Sequence, residues 1–415
     1  MIDHTQPSFL SRNYPAFLLL VAILFGGTVM PGVWSDSLIY VAMIPAIFIG
    51  FSNFLKNNLE VATRVLVVLI LSLIVFQFLP VHSSPILPVI SGEHDQMFFR
   101  TSSISGGLLA AMSGVVAIGF FLYLTTRDAI ALQSLIKFIF IALAIHVVAA
   151  IIELSFSSRI EINGLLPYTI RLGLFSNENH FSSLTYLSIP LIAWKLLVCS
   201  WRPYIYAGII FILLGLQFAV DARAGVGLGS LLAVFCVFWA LTLKSSKVVK
   251  VISCLIAIIA VIVILFSDQT SSLYDFGIRS FYNSQTWKIA LEHWLTGTGL
   301  GSFDVIWPFY ETKEILEPKY IIQAHNDHLQ LFMELGFWYF VLLTPFLILI
   351  LKNAFNTELS QAASISILAV LIHSLVDFPM RTTAILCCFV FLVSIVLVSK
   401  HSPKKANRVK HKKIA

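Results

Sequence analysis

The chain has 415 residues; 58% are hydrophobic, 12% are charged, and the formal net charge is +6. The mean hydropathy is +0.90. Soluble domains carry about twice that share of charge, which excludes a water-soluble fold. A membrane barrel is excluded as well, because the apolar stretches run to about twenty residues and do not alternate.

In chain order these stretches predict about twelve transmembrane helices, near 15–31, 36–54, 61–80, 105–124, 134–154, 180–198, 204–221, 225–243, 250–267, 336–352, 359–376 and 382–399. The first is read as a span and not a cleaved leader, because many more come after it. With both termini cytoplasmic, the inner loops and tail hold roughly twice the lysine and arginine of the outer loops, as orientation requires. The expected organisation is one all-α, polytopic transmembrane domain over 1–399 and a basic cytoplasmic tail over 400–415. The tail, KHSPKKANRVKHKKIA, is suited to anionic membrane lipids and not to nucleic acid. Cys199, Cys236, Cys254, Cys387 and Cys388 lie in or beside apolar runs without CxxC spacing, so they are packing residues.

Two outer loops are long, about 81–104 and about 268–335. The second contains Trp287, Trp294, Trp307, Phe309, Tyr310 and Tyr320, which predicts one or two helices lying at the membrane interface. The outer cations are mostly arginine (Arg100, Arg159, Arg171, Arg223, Arg279 and Arg381), whose planar fork suits phosphate.

The stretch AHNDHLQLFMELG, Ala324 to Gly336, closes the long loop and enters the next span. Read as one helix, it puts His325, His328 or Leu329, Phe332 and Gly336 on one face, with Gly336 admitting a neighbouring helix and Asn326 or Asp327 at the helix start. Three readings stand side by side. His325 and His328 could share a metal, though no third ligand lies at a telling distance. The polar groups could be the wet end of a helix. Or a histidine could act as general base toward a hydroxyl, since imidazole titrates near neutral pH.

Four other outer stretches carry polar groups. RLGLFSNENHFSS holds Arg171 and His180; DARAGVGLG holds Asp221, Arg223 and small residues for close helix packing; HSLVDFPMR holds His373, Asp377 and Arg381. The fourth, from Ile278 to Phe303, runs from Arg279 through Trp287 to the turn GTGLGSF. That turn lacks the preceding strand of a nucleotide-binding loop, so a nucleotide role is rejected. A transporter or lipid flippase would place charges near the midplane and show repeated halves; here the charges gather at one face and no repeat is visible.

Together these stretches resemble the O-antigen ligase/polymerase family of bacterial membrane glycosyltransferases, over about Arg171 to Arg381. AHNDHLQLFMELG, after a large periplasmic loop, is the most specific piece. The resemblance implies a GT-C-like helical fold in the inner membrane with a periplasmic site. It implies inverting, metal-independent transfer of a glycan from polyprenyl (undecaprenyl) diphosphate to an acceptor hydroxyl, with no cofactor. The acceptor would be lipid A–core for a ligase, or another lipid-linked glycan for a polymerase of O-antigen or exopolysaccharide; both readings stay open, the ligase one preferred. On this sequence, the resemblance implies His325 as general base and Arg223, Arg279 and Arg171 as diphosphate ligands. Asp377 would orient an arginine or His325, with His180, His328 and Asn326 in support.

Overall fold

The computed structural model describes residues 9–29, 33–56, 59–81, 98–156, 166, 170–220, 222–243, 272–311 and 321–398. The architecture is all-α. Five helices form the first part: α1 (Phe9–Phe25), α2 (Trp34–Phe54), α3 (Val61–Phe76), α4 (Ile104–Leu124) and α5 (Ala129–Phe156). Next come α6 (Glu178–Ala193), extended by a π-turn over Trp194–Val198, α7 (Pro203–Ala219) and α8 (Arg223–Thr242). The described part of the long loop expected over about 268–335 holds α9 (Ser272–Glu292), the single-turn α10 (Phe303–Ile306) and α11 (Asp327–Leu335). The chain ends on α12 (Trp338–Ala354), α13 (Glu358–His373) and α14 (Thr383–Val398). The one ladder among the described residues is a two-residue antiparallel pairing of Pro80–Val81 with Phe98–Phe99, which the sequence pattern did not suggest.

Five helices are long and apolar enough to cross a bilayer: Trp34–Phe54, Ile104–Leu124, Ala129–Ser155, Glu178–Val198 and Ala224–Thr242. The shorter apolar helices coincide with the other predicted spans, except 250–267, which lies with the 400–415 tail outside the described residues. The first helix differs most from expectation, starting at Phe9 and stopping at Phe25 instead of running to about 31. The reason lies in Gly26 and Gly27. A Cβ on Gly26 would sit 2.8 Å from the Ala384 amide nitrogen. The Gly26 carbonyl accepts from that amide at 3.0 Å, and the Gly27 carbonyl accepts from the Ser176 amide at 3.0 Å. The chain therefore leaves the helix to pair with two distant segments.

Helices α6 and α14 form the centre. In α6 every residue from His180 to Ala193 is buried, against α5, α7, α8 and α13. Its hydroxyls are satisfied by the helix itself: Ser182 donates to the Glu178 carbonyl at 3.0 Å, Ser183 to Asn179 at 2.9 Å and Ser188 to Leu184 at 2.7 Å. Helix α14 packs on α1, α4, α12 and α13. As expected from DARAGVGLG, small residues let α8 approach closely: a Cβ on Gly225 would fall 2.3 Å from the Ser182 Cβ. The four described cysteines, Cys199, Cys236, Cys387 and Cys388, are free.

The outer loop has a core of its own. Tyr282, Ile289, Phe303, Trp307, Met333 and Leu335 are buried together, where α9, α10 and α11 meet. This layer is fastened to the bundle by Arg100, which donates to the Thr296 carbonyl at 3.3 Å, and by Gln77, which accepts from the Leu300 amide at 3.1 Å.

The Gly225 contact predicts a stability difference between two glycines. Gly225→Ala should cost about 1–3 kcal/mol through overpacking, read as a lower melting temperature of the detergent-solubilised protein. Gly208→Ala, on α7 with nothing within 4 Å of its Cβ, should be neutral or gain about 0.5–1 kcal/mol.

Candidate active site at the outer-loop junction

The local structure begins with a cap. Asn326 is extended, with φ −160°, and its side chain accepts from the Leu329 amide at 2.9 Å. Helix α11 therefore starts at Asp327. This corrects the expectation of a helix from His325: that residue lies before the cap, in the left-handed region with φ +54°. The expected face of His325, Phe332 and Gly336 does not form. Gly336 also differs. It ends α11 at φ +62°, and its Cβ would meet the Gly297 amide nitrogen at 2.6 Å, so the close approach is to the glycine turn and not to a helix.

Leaving the helix axis carries His325 to Asp377. Its Nδ1 lies 3.5 Å from the carboxylate Oδ1, with the imidazole 29% exposed and Asp377 1% exposed. The ring lies nearly parallel to Tyr282, 6.5 Å away, and meets the edge of Phe378 at 4.8 Å. Asp377 Oδ1 also accepts from the Phe378 amide at 3.0 Å. Burial alone would raise the Asp377 carboxyl, but the adjoining His325 and the fields of His180 and His373 outweigh it and hold the group below the usual carboxylate range. Nδ1 faces an anion, which leaves Nε2 on the far side of the ring.

Asp327 fixes the segment that carries Asp377. Its carboxylate accepts from Arg381 Nε at 3.2 Å, the Met380 amide at 3.2 Å and the Ser374 hydroxyl at 3.4 Å. Its own amide donates to the Asp377 carbonyl at 3.3 Å. Arg381 also lies 3.7 Å from Glu334, which is fully buried. These two carboxylates raise the Arg381 guanidinium against the opposing effect of burial, so it stays charged.

Glu334 continues the network to His325. It accepts from Gln330 Nε2 at 2.9 Å, and Gln330 accepts from the Ala324 amide at 3.0 Å. Its other oxygen accepts from the Gly301 amide at 3.1 Å. The Thr298 and Gly299 amides donate to the Met333 and Glu334 carbonyls, both at 2.9 Å. GTGLGSF is thus a lock on the end of α11, with its amides engaged by protein. Gly297, Gly299 and Gly301 have φ between +69° and +103°, which the turn requires.

Arg279, on α9, donates to the Val376 carbonyl at 3.3 Å, one residue from Asp377. His180 packs its ring against Phe378 at 5.2 Å, and its Nδ1 is 2.9 Å from the Thr382 hydroxyl. His328 is engaged at both nitrogens, Nδ1 by the Tyr339 hydroxyl and Nε2 by the Leu371 carbonyl at 2.7 Å. It therefore has no nitrogen to share a metal with His325. Arg171 is exposed in the turn closed by its amide and the Phe175 carbonyl at 2.8 Å, and no described contact joins it to His325. Arg223 is the first residue of α8; its side chain, and Asp221, lie outside the described residues. Sequence reading missed Asp327, Gln330 and Glu334 as a unit, although their spacing of three and four marks one polar helix face.

This geometry coincides with a family assignment. Residues 182–344 match the family model described as O-antigen ligase. That match, over rather less than half of the chain, supports the resemblance to the O-antigen ligase/polymerase family. No curated protein matches the chain. The matched segment contains Arg223, Arg279 and His325, whereas Arg171, His180, Asp377 and Arg381 lie outside it. Asp377, the residue beside His325, thus comes from beyond the matched segment.

Removing Arg381 would strand two buried carboxylates. Arg381→Ala should destabilise the protein by about 3 kcal/mol, measured by thermal unfolding in detergent. A melting temperature equal to wild type would show that the ion pairs contribute nothing.

Proposed function

We propose that this protein transfers a glycan from a polyprenyl diphosphate to an acceptor hydroxyl at the periplasmic face of the bacterial inner membrane, with lipid A–core as acceptor. The observation that carries the reading is the contact of half-open His325 with buried Asp377, with Arg279 bonded beside it. His325 Nε2 takes the proton of the acceptor hydroxyl. The freed oxygen forms a bond to the anomeric carbon from the face opposite the diphosphate, and the bond from that carbon to the diphosphate oxygen breaks. The electron pair leaves with the diphosphate, so the centre inverts. Arg279 meets the charge developing on the leaving group, and Arg223 and Arg171 are assigned to the same task further along the lipid diphosphate. Asp377 stabilises the imidazolium that forms. No step requires a metal, because the diphosphate is a good leaving group and arginine supplies the charge.

The test is transfer in proteoliposomes with a polyprenyl diphosphate glycan, purified lipid A–core and EDTA. Wild type should make the lipid A–core product, and His325→Ala should lose about 10²–10⁴-fold in rate. Arg279→Ala should lose about 10²-fold or more. Glycan that lengthens on its carrier would instead identify a polymerase using the same residues. A well-folded wild type that makes neither product would overturn the reading.

A further inference from the structure

Behind Asp377 lies a second layer of polar groups that the reaction above does not use. His180 and His373 are buried, 0% and 1% exposed. They come from different helices, α6 and α13, and both approach the segment that carries Asp377. The Asp377 amide donates to the His373 carbonyl at 3.0 Å. Phe378 is met edge-on by His180 on one side and His325 on the other. Asp377 lies in the electrostatic field of both buried rings.

Each ring is anchored at Nδ1 by hydroxyls. His373 Nδ1 is 2.9 Å from the Tyr186 hydroxyl and 3.2 Å from Ser183 Oγ, whose proton goes to the Asn179 carbonyl. His180 Nδ1 is 2.9 Å from the Thr382 hydroxyl. Both Nε2 atoms and Asp377 Oδ2 are enclosed and have no hydrogen-bond partner. Buried polar groups are rarely kept without a role.

We propose that His180 and His373 are positioning residues for glycan transfer, acting through Asp377: His180 against Phe378 and His373 through its carbonyl on the Asp377 amide hold this segment, and the two buried rings give the inner side of the carboxylate a polar environment, so that Oδ1 stays beside His325. The inference rests on the proposed transfer reaction. Asp377 is faced by His325 from the start of α11, His180 from α6, His373 from α13 and Arg279 from α9, and Asp327 donates its amide to the Asp377 carbonyl. The two histidines are buried, whereas His325 is partly exposed. Their removal would leave the diphosphate ligands in place and let the His325–Asp377 pair shift, and a displacement of about 1 Å at such a pair can cost about 10²-fold in rate.

The experiment measures transfer kinetics in proteoliposomes for wild type, His325→Ala, Asp377→Asn, His180→Phe, His373→Phe and the corresponding glutamine variants. The phenylalanine variants should lose about tenfold or more in kcat, with KM for the lipid-linked donor unchanged. The glutamine variants, which keep a polar side chain, should recover part of it. In the Asp377→Asn background, His373→Phe should cost little further, because the two act as a unit. Tyr186→Phe removes the hydroxyl anchor and keeps the packing; it should reduce kcat in the same direction and carries the test if the histidine variants do not fold. Transfer that depends on His325 but is unaffected by these changes, or whose losses multiply with Asp377→Asn, overturns this inference alone. Absence of transfer in wild type overturns the proposed reaction and this inference with it.

Discussion

The carboxylate of Asp327 receives the Arg381 guanidinium, the Met380 amide and the Ser374 hydroxyl together, while its backbone amide binds the Asp377 carbonyl. The turn that carries Asp377 is thereby tied to the start of α11, where His325 stands. A buried carboxylate needs a positive partner close by, and Arg381 lies between Asp327 and Glu334 and serves both. The pairing has two consequences. It keeps ionised groups inside an apolar bundle, and it sets the distance between a half-open imidazole and a closed carboxylate.

The same network holds a backbone conformation that costs energy. A left-handed residue other than glycine costs about 1–3 kcal/mol, and His325 is such a residue. It is held from both sides: Ala324 by Gln330 and Asn326 by its cap on Leu329. Gln330 is held by Glu334, and Glu334 by the glycine turn. The layer of α9 to α11 is thus joined by hydrogen bonds to the residues on either side of His325.

Features set by local rules were legible in the sequence, whereas features set by pairing at a distance were not. Apolar runs placed a helix at each described span, and five of these helices are long enough to cross a bilayer. AHNDHLQLFMELG marked the stretch that approaches Asp377, since titratable residues are conspicuous among apolar ones. The helix start was misplaced because His325 fits a helical period equally well, and only the Asn326 cap decides where the period begins. The end of α1 was misplaced because Gly26 looks like an ordinary small residue until Ala384 is found against it. GTGLGSF showed its turn but not its partner. Likewise, nothing in HSLVDFPMR announces that Arg381 reaches back to Asp327 across 54 residues.

The most direct measurement is a single turnover from donor already bound to Asp377→Asn. Binding of the polyprenyl diphosphate glycan is measured first, and then the rate of glycan appearance on the acceptor. The expected result is donor affinity equal to wild type with transfer slowed about 10²-fold or more, because the arginines remain and the imidazole loses its anion. Transfer at the wild-type rate would contradict the assignment of His325 and Asp377 as a working pair.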